Sequence, residues 1–261
     1  MKRISTQALL TAPTLPQANR EGINALAATN LQVDIAPYCG MDEGDLIELF
    51  WNNCFAASRR VTAGKIGMST SLRVPESFVQ NGPARIHYRV MQVGRDSARS
   101  VITRIQIKTD YPGGRPCALS IDENQNLAAV SLPETIRRHG VNSSQIRRGV
   151  PLTIEPYLNM ATDDEITLRW GDVRLDLPKI QASDVGKAVQ VWVPSAVIVE
   201  AGDDHRLEVT YCILDRVGNN SRWAPARTLR IATYAPKAPT SPAKPALVYQ
   251  PRRPGSPCEP G

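Results

Sequence analysis

The sequence predicts an all-β protein built as two antiparallel β-sandwiches in tandem. Three observations predict it. A half-chain repeat is present, apolar residues alternate with period two inside both copies, and turn residues recur between the alternating runs. Shifting the sequence by 119 and comparing residues 35–79 with 154–198 gives 12 identities in 45 ungapped positions. Composition alone gives about three. The shared residues are Ile35/Ile154, Pro37/Pro156, Tyr38/Tyr157, Met41/Met160, Asp45/Asp164, Ile47/Ile166, Leu49/Leu168, Trp51/Trp170, Ala63/Ala182, Gly67/Gly186, Val74/Val193 and Pro75/Pro194.

The repeat extends outward with small indels. Leu15-Pro16 matches Leu132-Pro133, and Gly22 with Asn24 matches Gly140 with Asn142. Downstream, Tyr88 matches Tyr211, Val93-Gly94 matches Val217-Gly218, and Ile107 matches Ile231. Each unit is then near the size of an immunoglobulin-type sandwich, about 100 residues.

The elements follow in order. Ile47, Leu49 and Trp51 share one parity, as do Ile166, Leu168 and Trp170, which predicts half-buried strands. Leu72 and Val74 alternate, as do Val189, Val191 and Val193. The runs Ile86-Tyr88-Val90 and Leu207-Val209-Tyr211-Ile213 predict long central strands, and Ile105-Ile107 and Leu229-Ile231 the last ones. Turns fall at Gly44, Gly64, Gly67, Asn81-Gly82-Pro83, Gly94, Asp203-Asp204 and Gly218-Asn219-Asn220. The expected boundaries are an N-terminal extension at 1–30, a first sandwich at 31–110, a linker at 111–149 and a second sandwich at 150–235. A disordered Pro-rich tail is expected at 236–261, with 8 prolines in 26 residues.

Composition narrows the function classes. The chain has 261 residues and a net charge of +6. Residues 132–149 carry +3 and residues 236–261 another +3, so the remainder is neutral. A nucleic-acid binder places its basic excess on a folded face beside a recognition motif. No such motif is present, so no specific nucleic-acid partner is expected. No apolar run reaches the roughly 18 residues of a transmembrane helix. Met1-Lys2-Arg3 begins like a signal peptide, but Gln7, Thr11, Pro13 and Pro16 interrupt the apolar region that should follow. That leaves a cytoplasmic protein or one exported by another route.

Candidate sites are few. His87, His139 and His205 accompany no nucleophile or metal-ligand motif, and His87 is read as outward and solvated beside Ile86 and Tyr88. No nucleophile elbow or phosphate loop occurs, so the chain is read as no enzyme, with no catalytic, cofactor or metal residue. Asp42-Glu43-x-Asp45 and Asp163-Asp164-Glu165 occupy equivalent turns and are read as solvated acids. Calcium is their functional alternative, matched by no EF-hand spacing. Trp51 and Trp170 are core residues whose indole N–H groups should each find a partner. Trp192 and Trp223 are unshared, and Trp192 has outward parity. These two are the ligand-binding candidates, because exposed aromatics are enriched at interfaces. Cys39, Cys54 and Cys212 are unshared, and free, mostly buried thiols are the expected state. A Cys39–Cys54 bridge is the alternative.

The pattern Ile-x-Pro-Tyr-x-x-Met-x-x-x-Asp-x-Ile-x-Leu-x-Trp at 35–51 and 154–170, with Asp215-x-x-Gly-Asn-x-Ser221, resembles the bacterial Ig-like (Big-type) repeats of large surface and adhesin-type proteins. The resemblance covers residues 15–233. It implies an extracellular or cell-surface location and a structural, adhesive or partner-binding role, with a protein or glycan partner. Two alternatives stand beside it: a carbohydrate-binding module using Trp192 or Trp223, and an intracellular or toxin-associated scaffold.

Overall fold

The computed structural model describes residues 10–116 and 122–231. The Pro-rich tail expected from residue 236 lies outside them.

The first unit comprises α1 (Ala25–Ala28), β1 (Gln32–Ile35), β2 (Leu46–Trp51), β3 (Cys54–Arg60), β4 (Thr70–Arg73), β5 (Gly82–Met91), β6 (Ala98–Arg99) and β7 (Thr103–Ile107). Strand β2 lies between β3 and β5, and β5 pairs along its other side with both β6 and β7. A two-stranded sheet, β1 with β4, covers the inner face. The second unit comprises α2 (Glu134–His139), α3 (Ser143–Arg148), β8 (Val150–Ile154), β9 (Glu165–Trp170), β10 (Val173–Asp176), β11 (Val189–Val193), α4 (Ser195–Ala201), β12 (Asp204–Leu214) and β13 (Arg227–Ile231). Its sheets are β10-β9-β12-β13 and β11-β8. All of these strand pairs are antiparallel. Two immunoglobulin-like antiparallel sandwiches in tandem are therefore the architecture.

Register repeats as the sequence does. Leu49 faces Tyr88 across β2 and β5, and Leu168 faces Tyr211 across β9 and β12. The tight hairpins are Asn52-Asn53 and Gly171-Asp172. Both asparagines take positive φ, the twist-compatible form of a two-residue turn. Each sandwich has its own core, with Trp51 and Tyr88 buried in one and Trp170 and Tyr211 in the other. The indole N–H groups of Trp51 and Trp170 have no protein partner, contrary to expectation.

The segments between the predicted strands join the cores. Residues 10–31 contribute Leu15, Ile23, Ala28 and Leu31 to the first. Residues 122–149 contribute Leu127, Val130, Ile136, Val141 and Ile146 to the second. They enter the two units in the same way. Thr14 bridges Asp34 and Ser131 bridges Thr153, while Ile23 runs parallel to Ile107 as Val141 does to Ile231. Asn24 caps α1 by accepting from Ala27 N–H, and Asn142 caps α3 in a reciprocal box with Gln145.

Glycine is required where each segment meets the last strand. A Cβ on Gly22 (φ +145°) would lie 2.2 Å from the Gln106 carbonyl oxygen, and one on Gly140 (φ +75°) 2.3 Å from that of Arg230. Positive φ and a backbone collision act together. Gly22→Ala and Gly140→Ala are each expected to destabilise their sandwich by about 2–3 kcal/mol. Urea titration followed by tryptophan fluorescence checks this, and a loss under about 0.5 kcal/mol would contradict it.

Candidate functional site

Trp192 projects outward from β11 and is 59% exposed, as its parity predicts. Its indole N–H donates to the Arg148 carbonyl at 2.9 Å, and the ring lies against Gly149. Beside it runs a groove of about 540 Å³ lined by Leu175, Leu177, Ile180, Val191 and Pro194. The groove lies between β10 and β11, which are edge strands of the two sheets. Trp223 is different. Its ring is covered by the guanidinium groups of Arg169 at 5.0 Å and Arg174 at 5.9 Å, and its backbone pairs with Glu123. The two tryptophans are not brought into one site.

Of the acids read as solvated, Asp42, Glu43 and Glu165 are exposed and Asp163 is half-buried, but two are not solvated. Asp45 and Asp164 are both buried. Each accepts a tyrosine hydroxyl at 2.9 Å, from Tyr38 and Tyr157 respectively, together with a backbone N–H from Asp42 or Ala161. Burial and the neighbouring carboxylate push the Tyr157 hydroxyl far above its usual range, so it remains a donor. The sequence signal was available, because Tyr-x₆-Asp occurs in both copies. An invariant tyrosine–aspartate spacing is a hydrogen bond in waiting, whereas a solvated acid has no fixed partner.

The two sites differ in what completes them. In the first unit the Gln92 amide donates to Asp45 Oδ2 at 2.9 Å. In the second, Lys108 arrives from the end of the first unit. Its ammonium lies 3.1 Å from Asp215 Oδ2 and 3.8 Å from Asp164 Oδ1, and both carboxylates are fully buried. Burial pushes the Asp164 carboxyl above its usual range. The Ala161 N–H, the Tyr157 hydroxyl and the Lys108 charge oppose that shift, and the Asp215 charge adds to it.

Asp215 begins the hairpin singled out by the resemblance. Its carboxylate accepts from Val217 N, Asn219 N and Asn219 Nδ2. That holds Asn219 facing the first unit, where its Oδ1 accepts from Ala25 N and its Nδ2 donates to the Lys108 carbonyl, each at 2.8 Å. Asn19 Nδ2 donates to the Val217 carbonyl at 2.7 Å, and Arg216 pairs with Glu21 at 2.6 Å on the rim. The turn at Tyr111–Gly114 docks on the second unit through Gly113 N to the Leu158 carbonyl and Asn159 Nδ2 to the Tyr111 carbonyl. This hairpin therefore joins the two sandwiches.

The remaining candidates separate. His87 is 6% exposed, not solvated, because Phe50 stacks on it at 5.0 Å. Burial, then the charges of Arg99, Arg85 and Arg89, hold its pKa below the usual value. Cys39, Cys54 and Cys212 are free thiols. The first two are exposed rather than buried, since Cys39 lies in a surface turn and Cys54 at a hairpin exit. Among the described residues no group of three or more acids, histidines or cysteines is placed to hold a metal ion, and no helix is long and apolar enough to cross a membrane.

Replacing Lys108 by Met leaves Asp164 and Asp215 without their cation. At neutral pH this is expected to cost about 2–4 kcal/mol in urea unfolding of the second sandwich. The sign of the pH dependence follows from Asp164. Its folded pKa is raised, so the folded state binds its proton more tightly and stability falls as pH rises from the unfolded to the folded value. Losing Lys108 raises that pKa further. The penalty of the variant therefore shrinks as pH falls through the folded pKa. A penalty independent of pH between 4 and 7 would contradict the assignment.

No family model and no curated protein match the chain. Solved structures do. It is similar to a 1.5-MDa bacterial ice-binding adhesin, at 14% identity over 85% of this chain and 64% of that one, with a TM-score of 0.35. It is similar to the fibronectin(III)-like modules of Clostridium thermocellum CbhA, at 8% identity over 83% of this chain and 90% of that one, TM-score 0.39. It is also similar to the tetra-tandem repeat in the extending region of a large adhesion protein, at 13% identity over 85% and 49% of the two chains, TM-score 0.30. The chain thus spans less than two thirds of the ice-binding adhesin structure.

Proposed function

We propose that the chain is a non-catalytic Ig-like repeat module, structural or adhesive, of the Big-type kind, displayed or released by a bacterium and engaging a protein or glycan partner. The observation that carries this reading is the junction. Ionic and amide contacts from Lys108, Asp215 and Asn219 link the two sandwiches, and on this reading they stiffen the pair. Stiffness suits a module that presents a surface at a distance, and such a module needs no reactive centre. On this reading the working units are residues 10–108 and 122–231, because those segments feed the two cores.

Location tests it. Protease shaving of intact host cells, with immunoblotting of each fraction, is expected to release or degrade the protein while a cytosolic marker stays protected. Full protection until lysis would overturn the adhesive reading in favour of an intracellular scaffold.

One observation favours a narrower reading, in which Trp192 stacks on a sugar ring. Its N–H is held by the Arg148 carbonyl, which fixes the indole in place beside an open groove. Trp192→Ala is then expected to lower binding to a glycan array at least tenfold without lowering the melting temperature. Unchanged binding would remove Trp192 as a site.

A further inference from the structure

The outer face of the first large sheet carries an arrangement that folding alone disfavours. On β5, Arg85 and Arg89 point away from the core, because Ile86, Tyr88 and Val90 point into it. Arg89 stands directly opposite Arg99 on β6, and Arg85 directly opposite Arg104 on β7. Like charges directly opposite one another destabilise an antiparallel pair. Two such pairs lie on one strand, four residues or about 13 Å apart. The acid among the face's strand positions is Glu48, and it pairs with Arg89. Among the described residues the guanidinium groups of Arg85, Arg99 and Arg104 make no ion pair or hydrogen bond, and all three residues are exposed.

The same face of the second sandwich gives an internal comparison. There Arg169 also stands opposite Arg174, but both cover Trp223 and Arg169 pairs with Glu208. The fold therefore has a way to use opposed arginines; in the first sandwich Arg89 is used in the same way, by Glu48 and Phe50, while Arg85, Arg99 and Arg104 are left without a counter-ion among the described residues.

We propose that the outer face of β5, β6 and β7 binds an anionic polysaccharide, with Arg85, Arg99 and Arg104 holding its carboxylate or sulfate groups. This rests on the adhesive reading above and names its partner's chemistry. Guanidinium is the suited group, since its planar fork matches such oxyanions and it is weakly hydrated. A single-stranded nucleic acid fits less well, because it needs free ring faces for its bases. Phe50 and His87 stack on each other at 5.0 Å with 7° between their planes, and Arg89 lies over Phe50 at 5.5 Å. Those rings are occupied by one another. Phe55, 53% exposed at the sheet edge, meets Phe50 edge-on and adds an apolar border.

The full chain is tested on immobilised heparin, polygalacturonate, neutral dextran and poly(U), at stepped salt. Binding to heparin and polygalacturonate but not dextran is expected, weakening with salt. The R85A/R99A/R104A variant should bind at least tenfold more weakly. Its melting temperature should be equal or higher, because repulsion has been removed. R104E alone, at an exposed strand position, gives the same direction should the triple variant fail to fold. The variant K244A/R252A/R253A removes the basic tail and should bind as the parent does. Unchanged binding by R85A/R99A/R104A, loss of binding through the tail variant, or poly(U) bound tenfold tighter than either polysaccharide would each overturn the proposal. Surface display without polyanion binding overturns this assignment and leaves the adhesive reading standing. Poly(U) binding by a protein confined to the cytosol overturns both.

Discussion

At the junction of the two sandwiches the charge balance rests on one lysine. Lys108 leaves the last strand of the first unit and places its ammonium against two fully buried carboxylates of the second. Burying a charge without compensation is prohibitive, so Asp164 and Asp215 require what surrounds them. Tyr157, the Ala161 N–H and the Asn219 amide supply neutral hydrogen bonds, and the lysine supplies the opposite charge. The first unit satisfies its equivalent Asp45 from within, through Gln92. A carboxylate that a glutamine can satisfy locally says nothing about a neighbour. A carboxylate pair that needs a lysine from outside fixes where that neighbour must be. Buried ion pairs add little net stability but penalise misplacement strongly, which makes this one a determinant of geometry.

The strands were legible because each has one buried and one solvated face, and period two records that directly. Ile47, Leu49 and Trp51 are buried on the parity that predicts it, as are Ile166, Leu168 and Trp170. What escaped has no such signature. Helices α2 and α3 span six residues each and bury one isoleucine apiece, Ile136 and Ile146, so no amphipathic stripe can develop. They are marked by a capping box, a glycine stop and repeat partners rather than by periodicity. The buried Asp45 and Asp164 escaped for another reason. Acids in turns are usually solvated, and only their shared spacing from Tyr38 and Tyr157 distinguishes these. His87 misled because strand parity describes which sheet face a side chain points to, not whether that face is dry. Phe50, on the adjacent strand, covers it.

The candidate site was less legible than the fold. Trp192 stands where its parity put it, while Trp223 is enclosed by arginines from β9 and β10 that no local pattern connects to it. The Asp215–Ser221 hairpin was visible as a motif, but its work depends on Asn219 reaching residues 25 and 108, nearly 200 and just over 100 positions away. Long-range pairing of this kind is set by domain packing and leaves no trace in spacing.

Charge shows the same separation between sequence and surface. Outside two short windows the chain is neutral, yet neutrality along a β-strand is an average over two opposite faces. Strand β5 sends Ile86, Tyr88 and Val90 inward, so its Arg85 and Arg89 must share the outer face with whatever the neighbouring strands bring. They bring Arg99 and Arg104. Nothing in the core requires this, since the second sandwich packs a similar apolar core beneath a face whose opposed arginines are occupied by Trp223 and Glu208. Repulsion that a fold tolerates without structural need is relieved by whatever anion settles on it. The first sandwich is therefore the half of the molecule in which charge, rather than an apolar groove, defines the surface.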